Sequence, residues 1–266
     1  MADEEEYDDE EEFDPEGEDI RLTESGVFRV TREEFLEELW DYEPGQHVTI
    51  LAPTQSGKTY LAYQLLRESA TVEDPAIVFV MKPRDATVVK WSRENNFRIV
   101  KTWPPLPSVT KTWKQEKERG WVLWPRFTMD PDRDNAEMKV QFRRAIMDSY
   151  KGGNRILFCD ETYSLVEELP NGGLREELIT VWTKGSSMDC AMWAASQRPA
   201  YVPMWAYSMA THLFIARETD AQARKRYREI SGMDPKLVEA TIMELEEYEF
   251  LYINTRQKSM CVVEAS

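Results

Sequence analysis

Ala52-Pro53-Thr54-Gln55-Ser56-Gly57-Lys58-Thr59 stands between two contrasting segments. His47 to Leu51 precedes it as a short apolar strand, and Tyr60 to Leu66 follows with the apolar spacing of an amphipathic helix. Strand, tight loop, Gly-Lys-Thr and helix is the context that a phosphate-binding loop requires. Such a loop turns backbone N–H groups inward, toward phosphate oxygens. The helix behind it points its positive dipole end at the same anion. Pro53, Thr54, Gln55, Ser56, Gly57, Lys58, Thr59 and Tyr60 are the candidate nucleotide-binding residues. Lys58 would neutralise β- and γ-phosphates, and Thr59 would hold Mg²⁺. Ala52 stands where glycine is usual, a position at which a left-handed backbone would be disfavoured. From residue usage, the pattern arises by chance in a chain this long roughly once in fifty.

A second stretch belongs with the first. Arg155-Ile156-Leu157-Phe158-Cys159-Asp160-Glu161 is a buried-type strand delivering two carboxylates at its tip, as a Walker B strand does. Asp160 would bind Mg²⁺, directly or through water, and Glu161 would orient and deprotonate an attacking water. A strand ending in Asp-Glu is common, and a solvated strand end is the alternative. A third stretch, Cys190 to Ala195, is another apolar strand, with Ser196-Gln197-Arg198-Pro199 at its tip. Ligands of open α/β sheets sit at the C-terminal ends of the strands. Gln197 is therefore placed to sense a γ-phosphate or the water, a capped turn being the alternative.

Between these stretches strands alternate with helices from 47 to 216. This predicts an α/β fold, a mainly parallel central sheet with helices on both faces. Strands are expected at 76–81, 97–100, 121–124 and 212–216, and a closing β-hairpin at 249–253 and 260–263. Residues 20–30 are weakly strand-like and suited to a sheet edge. Thr31-Arg32-Glu33-Glu34 is a capping box opening a helix through Trp40. Residues 128–136 are expected to be an Asp-rich loop, with a helix from Lys139 to Tyr150. The expected division is an acidic tail at 1–19, a strand and helix at 20–44, a core at 45–220, and C-terminal helices and hairpin at 221–266 completing the same domain.

Charge is unevenly spread. The chain of 266 residues has a formal net charge of −16, yet residues 1–19 hold 13 of its 49 acidic residues and no Lys or Arg. The remainder carries 36 acidic against 33 basic side chains, close to neutral. Such a run cannot bury a core and is expected to be disordered. It is either a solubilising tail or a nucleic-acid mimic covering a basic channel. The segment 84–151 is locally basic, with 15 Lys and Arg against 9 Asp and Glu. Lys111, Lys114, Lys117 and Arg119, interleaved with Trp113, and Arg143 with Arg144, are candidate DNA contacts, a solvated surface being the alternative. Cys159, Cys190 and Cys261 lie in apolar runs without metal-ligand spacing. They are expected to be reduced core residues of an intracellular protein. No stretch approaches the roughly 18 apolar residues of a membrane span, and no membrane partner is expected.

Taken together, the loop, the strand ending Met81-Lys82-Pro83-Arg84-Asp85, the Asp160-Glu161 pair and Trp193 to Pro199 resemble the FtsK/HerA superfamily of ASCE-type P-loop ATPases. The resemblance covers roughly residues 45–220 and is greatest to the genome-packaging ATPases of double-stranded DNA phages. It implies ATP and Mg²⁺ as cofactors and double-stranded DNA as the polymer moved. It also implies a ring of five or six copies with active sites between neighbours, a portal or capsid component as partner, and a host cytoplasm location with transient residence on the procapsid. The family carries an Arg just upstream of the sensor strand that acts on the neighbour's nucleotide. Here the region reads Thr183-Lys184-Gly185-Ser186-Ser187, so that role falls to Lys184, Arg175 or Arg217. Only about fifty residues follow Arg217, without the carboxylate cluster of a nuclease domain. A small-molecule phosphotransferase and a nucleotide-gated structural protein with weak hydrolysis are the competing classes, as is another nucleic-acid-dependent ATPase of DNA transfer or segregation. The paired Asp160-Glu161 and Gln197 argue against a phosphotransferase, which needs no water-activating Glu.

Overall fold

The computed structural model describes residues 21–106, 117–197, 203–230 and 232–265. Among the described residues ten strands form one sheet in the order β1-β10-β9-β8-β2-β7-β6-β3-β5-β4. In chain order they are β1 (Arg29–Val30), β2 (Val48–Leu51), β3 (Ala76–Phe79), β4 (Phe97–Val100) and β5 (Gly120–Leu123). There follow β6 (Arg155–Cys159), β7 (Cys190–Ser196), β8 (His212–Ala216), β9 (Phe250–Asn254) and β10 (Ser259–Val263). All neighbours run parallel except β9, which is antiparallel to both β8 and β10. The expected C-terminal hairpin is β9–β10, and the expected docking of the N-terminal segment at a sheet edge is β1 against β10. The strand there is only two residues long.

The helices are α1 (Arg32–Glu34), α2 (Lys58–Ser69), α3 (Ala86–Glu94), α4 (Pro131–Gly152), α5 (Arg175–Lys184), α6 (Met204–Ser208), α7 (Ala221–Ile230) and α8 (Pro235–Glu244). Side chains alternate across a strand, and here both faces are covered. Leu51, Ile77, Leu157 and Met192 pack with Phe142 and Ile146 of α4 and Leu178 of α5. Ile50, Val78, Phe158 and Trp193 point the other way, onto Leu61 and Leu65 of α2 and Val88 of α3. Continuous apolar runs are what a sheet buried on both faces needs. Trp193 and Phe158 have no exposed surface, and truncating either to Ala would cost about 3–5 kcal/mol.

Two local expectations are corrected. The Asp-rich stretch is a helix start instead of a loop: α4 begins at Pro131, and Asp130 caps it by accepting from Asp132 and Arg133 N–H. Asp at the cap and Pro at the first position satisfy helix-end chemistry that a loop reading overlooks. The helix after Thr31 has its capping box, with both Thr31 and Glu34 contacts present, but widens into a π-helical turn over Phe35–Leu39. That turn delivers Trp40 to Ser69 at the end of α2, where its Nε1 donates to Oγ at 2.8 Å. All three cysteines are free and buried.

Candidate functional site

Strand order decides what meets the loop. β7 lies between β2, which carries the loop, and β6, which ends in the acidic pair. The three tips therefore open side by side at the C-terminal edge. Ala52 N–H donates to Ser196 O at 3.1 Å, extending the β2–β7 ladder into the loop. The left-handed positions of the loop are Gln55 (φ 67°) and Gly57 (φ 82°); Ala52 is outside that region and buried. The backbone strain anticipated at Ala52 is absent, and Gln55 carries one such conformation instead, at about 1–2 kcal/mol. Ser56 Oγ donates to Pro53 O at 2.7 Å and tightens the loop.

The polar groups converge behind it. Lys58 is only 6 % exposed. Its Nζ lies 4.0 Å from Asp160 Oδ1 and 3.9 Å from Glu161 Oε2. Thr59 Oγ1 donates to Asp160 Oδ1 at 2.9 Å. Lys82, at the tip of β3, lies 3.5 Å from Asp160 Oδ2. On the other side Ser196 Oγ donates to Glu161 Oε1 at 3.4 Å, and Thr54 Oγ1 to Gln197 Oε1 at 2.8 Å. Burial lifts the Glu161 carboxyl above the usual range, and the Lys58 ammonium pulls it partly back. A partly desolvated carboxylate of raised pKa is a better proton acceptor than an exposed one.

Hydroxyl and carboxylate oxygens are hard donors. Thr59 with Asp160 fits Mg²⁺, which takes one or two carboxylates and completes its shell with water and phosphate. Among the described residues no group of three or more His, Cys, Asp or Glu could hold a metal by itself. Any metal here would be shared with a phosphate ligand.

No family model and no curated protein matches the sequence. Solved structures do. The DNA-packaging ATPase B204 of Sulfolobus turreted icosahedral virus superposes with TM-score 0.58 at 14% identity, over 85% of this chain and all of that one. B204 of Sulfolobus turreted icosahedral virus 2, in complex with ATP-gammaS, gives 0.60 at 13% identity over the same shares. VirB4 of Thermoanaerobacter pseudethanolicus gives 0.60 at 11% identity, over 92% of this chain and 96% of that one. The chain shares the fold of these proteins, a mainly parallel sheet covered by helices. Identities this low carry the fold and no more.

Within this fold the remaining predicted residues scatter. Lys111, Lys114 and Arg198 lie outside the described residues. Arg119 sits at the N-terminal edge of β5, at the opposite end of the sheet from the loop. Its guanidinium donates to Ala70 O at 2.8 Å and also to Arg67 O. Lys117 is exposed near it. Arg143 is paired with Glu177 at 2.6 Å, while Arg144 is exposed on the same helix. Of the trans candidates, Arg175 is paired with Glu167 at 2.8 Å. Lys184 ends α5 six residues before β7 begins, at the edge remote from the loop. Arg217 follows the tip of β8, beside the loop strand, and is exposed.

Other cations gather where the sequence did not single them out. A cavity of about 990 Å³ at the tip of edge strand β4 is lined by Lys101, Arg126, Arg133, Thr102 and Thr128, among others. Carboxylates lie there too: Glu137 lines the cavity and accepts from Gln141 Nε2 at 2.8 Å. Asp134 accepts from Thr128 N and Oγ1 and from Met129 N, and Asp130 caps α4. Lys101 lies over the Trp124 ring at 4.8 Å. Its pKa is lowered by burial and by the Arg126 charge beside it. A further residue that sequence reasoning missed is Tyr248, whose ring borders Gly57; a lone Tyr nearly 200 positions away gives no sequence signal.

Proposed function

We propose that the chain hydrolyses ATP to move double-stranded DNA, as the ATPase of a genome-packaging motor, at sites completed between the subunits of a ring. The observation that carries the reading is the convergence of Lys58, Thr59, Asp160, Glu161 and Gln197 at three adjacent strand tips. The low-identity likeness to packaging NTPases supports it at the level of fold.

The roles follow from position. Loop N–H groups and Lys58 bind the β- and γ-phosphates. Thr59 and Asp160 would hold Mg²⁺, which when bound neutralises charge developing on the phosphates. Glu161 takes the proton of the attacking water, and Ser196 fixes the carboxylate that does so. Gln197, held by Thr54, is placed at the terminal-phosphate end. The cation completing the site from a neighbour is Lys184, Arg175 or Arg217. DNA contact is assigned to the β4 cavity, with Lys101, Arg126 and Arg133 on phosphate oxygens. Arg119 and Arg143 are spent on partners within the chain.

ATP hydrolysis with and without double-stranded DNA is the test, with particles imaged by electron microscopy for rings. Glu161→Gln should keep ATP bound and lower turnover about 10²-fold or more; a full rate in that variant removes the hydrolase assignment. A Lys101/Arg126/Arg133→Ala variant should lose DNA stimulation and keep basal turnover. If Lys111/Lys114/Lys117→Ala loses stimulation while the cavity variant keeps it, the contact belongs to the sequence-derived lysines instead.

A further inference from the structure

The loop between α8 and β9 returns to the nucleotide loop. Tyr248 in it holds a left-handed backbone (φ 69°), a conformation that side-chain-bearing residues rarely adopt. Arg32 fixes it there. The guanidinium of this buried residue donates to Tyr248 O at 3.1 Å, to Glu264 O at 3.2 Å and to Gln64 Oε1 at 3.1 Å. It lies over the Phe250 ring at 5.6 Å. Three segments distant in the chain are thus tied to one guanidinium, and the tie fixes the backbone from which the Tyr248 ring projects. That ring lies against Gly57: a Cβ added to Gly57 would come within 3.2 Å of Tyr248 Cδ1. The residue is nevertheless 46 % exposed. A buried arginine holding an unusual backbone so that an aromatic ring stays half in water calls for a ligand on the open part of the ring.

The polarity of the site says which part of a ligand arrives there. Gln197 and Thr54 mark one end of the loop, with Glu161 beside them. That end takes the phosphate to be cleaved. Gly57 lies at the other end, where α2 begins. A triphosphate laid along the loop N–H groups with its reacting phosphate at Thr54 delivers its nucleoside toward Gly57. The hydrolytic roles assigned above make no use of Tyr248.

We propose that Tyr248 is the nucleobase platform of this site, presenting an aromatic face on which the base of a bound nucleoside triphosphate stacks. The proposal rests on the ATP-site reading above. Stacking uses the π-face that every base possesses and no edge hydrogen bonds. The platform therefore favours a nucleotide over bare polyphosphate and separates adenine poorly from guanine.

The test compares ATP with inorganic tripolyphosphate, which has the phosphates and no base. Dissociation constants are measured by competition against a fluorescent nucleotide on the full chain, for wild type, Tyr248→Phe, Tyr248→Ala and Tyr248→Asn. Asn tolerates the left-handed backbone and so guards against misfolding of the Ala variant. Both non-aromatic variants should bind ATP about tenfold more weakly and tripolyphosphate within twofold of wild type. Phe should match wild type for both ligands, and GTP should follow ATP. If ATP and tripolyphosphate weaken equally, Tyr248 only shapes the loop and the platform is refuted. Unchanged ATP affinity refutes it as well. A wild-type chain that binds neither ligand overturns the phosphate-site reading itself, and the platform with it.

Discussion

Acidification from pH 7 to pH 5 should destabilise this fold by about 3 kcal/mol, and two histidines are responsible. His47 and His212 are the only histidines of the chain, and both are buried and neutral. Met192 N–H donates to His47 Nδ1 at 2.9 Å, so that nitrogen carries no proton. Tyr252 hydroxyl lies 2.9 Å from His212 Nδ1, and Gln46 Oε1 2.7 Å from Nε2. Burial holds the His47 pKa down at about 4 and that of His212 at about 3, against 6.5 for a free side chain. Below 6.5 the unfolded chain takes up two protons that the folded chain refuses. Stability is therefore lost as pH falls from 6.5 toward these depressed values, by about 2 kcal/mol per histidine at pH 5. Asp74 works the other way. Burial raises its pKa to about 6, so the folded chain binds that proton first and recovers about 1 kcal/mol. Urea denaturation at the two pH values measures the net. A His47→Asn/His212→Gln chain should instead gain about 1 kcal/mol over the same interval, the Asp74 contribution alone, whatever its stability at pH 7. Equal losses in wild type and the double variant would refute the assignment, because all other titrating groups are common to both.

Three further outcomes follow from the site. ATP turnover should fall on the acid side at a pH above 4.5, since Glu161 must be ionised to accept a proton and burial raises its pKa; a pH profile of kcat/KM whose acid limb lies at or below 4.5 would show that this carboxylate is fully solvated. Ala52→Gly should leave ATP affinity within about twofold, because Ala52 needs no left-handed backbone; a gain of tenfold or more in a binding titration would show that the Cβ obstructs phosphate. Arg119→Ala should lower the thermal midpoint, as Ala70 O and Arg67 O lose a charged donor worth about 1.5–3 kcal/mol, while DNA stimulation of turnover persists. Loss of stimulation at an unchanged midpoint would return Arg119 to the DNA surface.

What the sequence makes legible is what lies close together in it. The loop, the Asp160-Glu161 tip and the Gln197 tip each follow an apolar strand within a few residues, and a parallel sheet aligns such tips automatically. Their adjacency, with β7 inserted between β2 and β6, is set by pairing between strands distant in the chain and leaves no local signal. The start of α4 was readable from Asp130-Pro131 and obscured by the surrounding acidic residues. The charge count over residues 84–151 tallies cations without asking whether they are free. Arg119 is bound to carbonyls, whereas Lys101, Arg126 and Arg133 line an open cavity, where Asp130 caps α4 and Asp134 is bonded to Thr128 and Met129. Arg32 and Tyr248 are out of reach of any local reading, since their contacts span more than 200 residues.

The burial of β2 on both faces has a consequence for how the strand tips find their level. A one-residue slip normally exposes an apolar face and is expelled by water. Val48, Ile50 and Leu51 are buried whichever way they point, so hydrophobicity does not tell one alignment from the next. Directional bonds do. Thr49 Oγ1 donates to Ala206 O at 2.6 Å, and His47 Nδ1 receives one particular amide, that of Met192. Slipping β2 against β7 by one residue would break these bonds and leave a buried imidazole and amide unpaired, at about 1–3 kcal/mol each. The polar groups at the far end of the strand thus act as an index mark. They decide how far Thr54 projects beside Gln197, and so keep in phase a site that none of them touches.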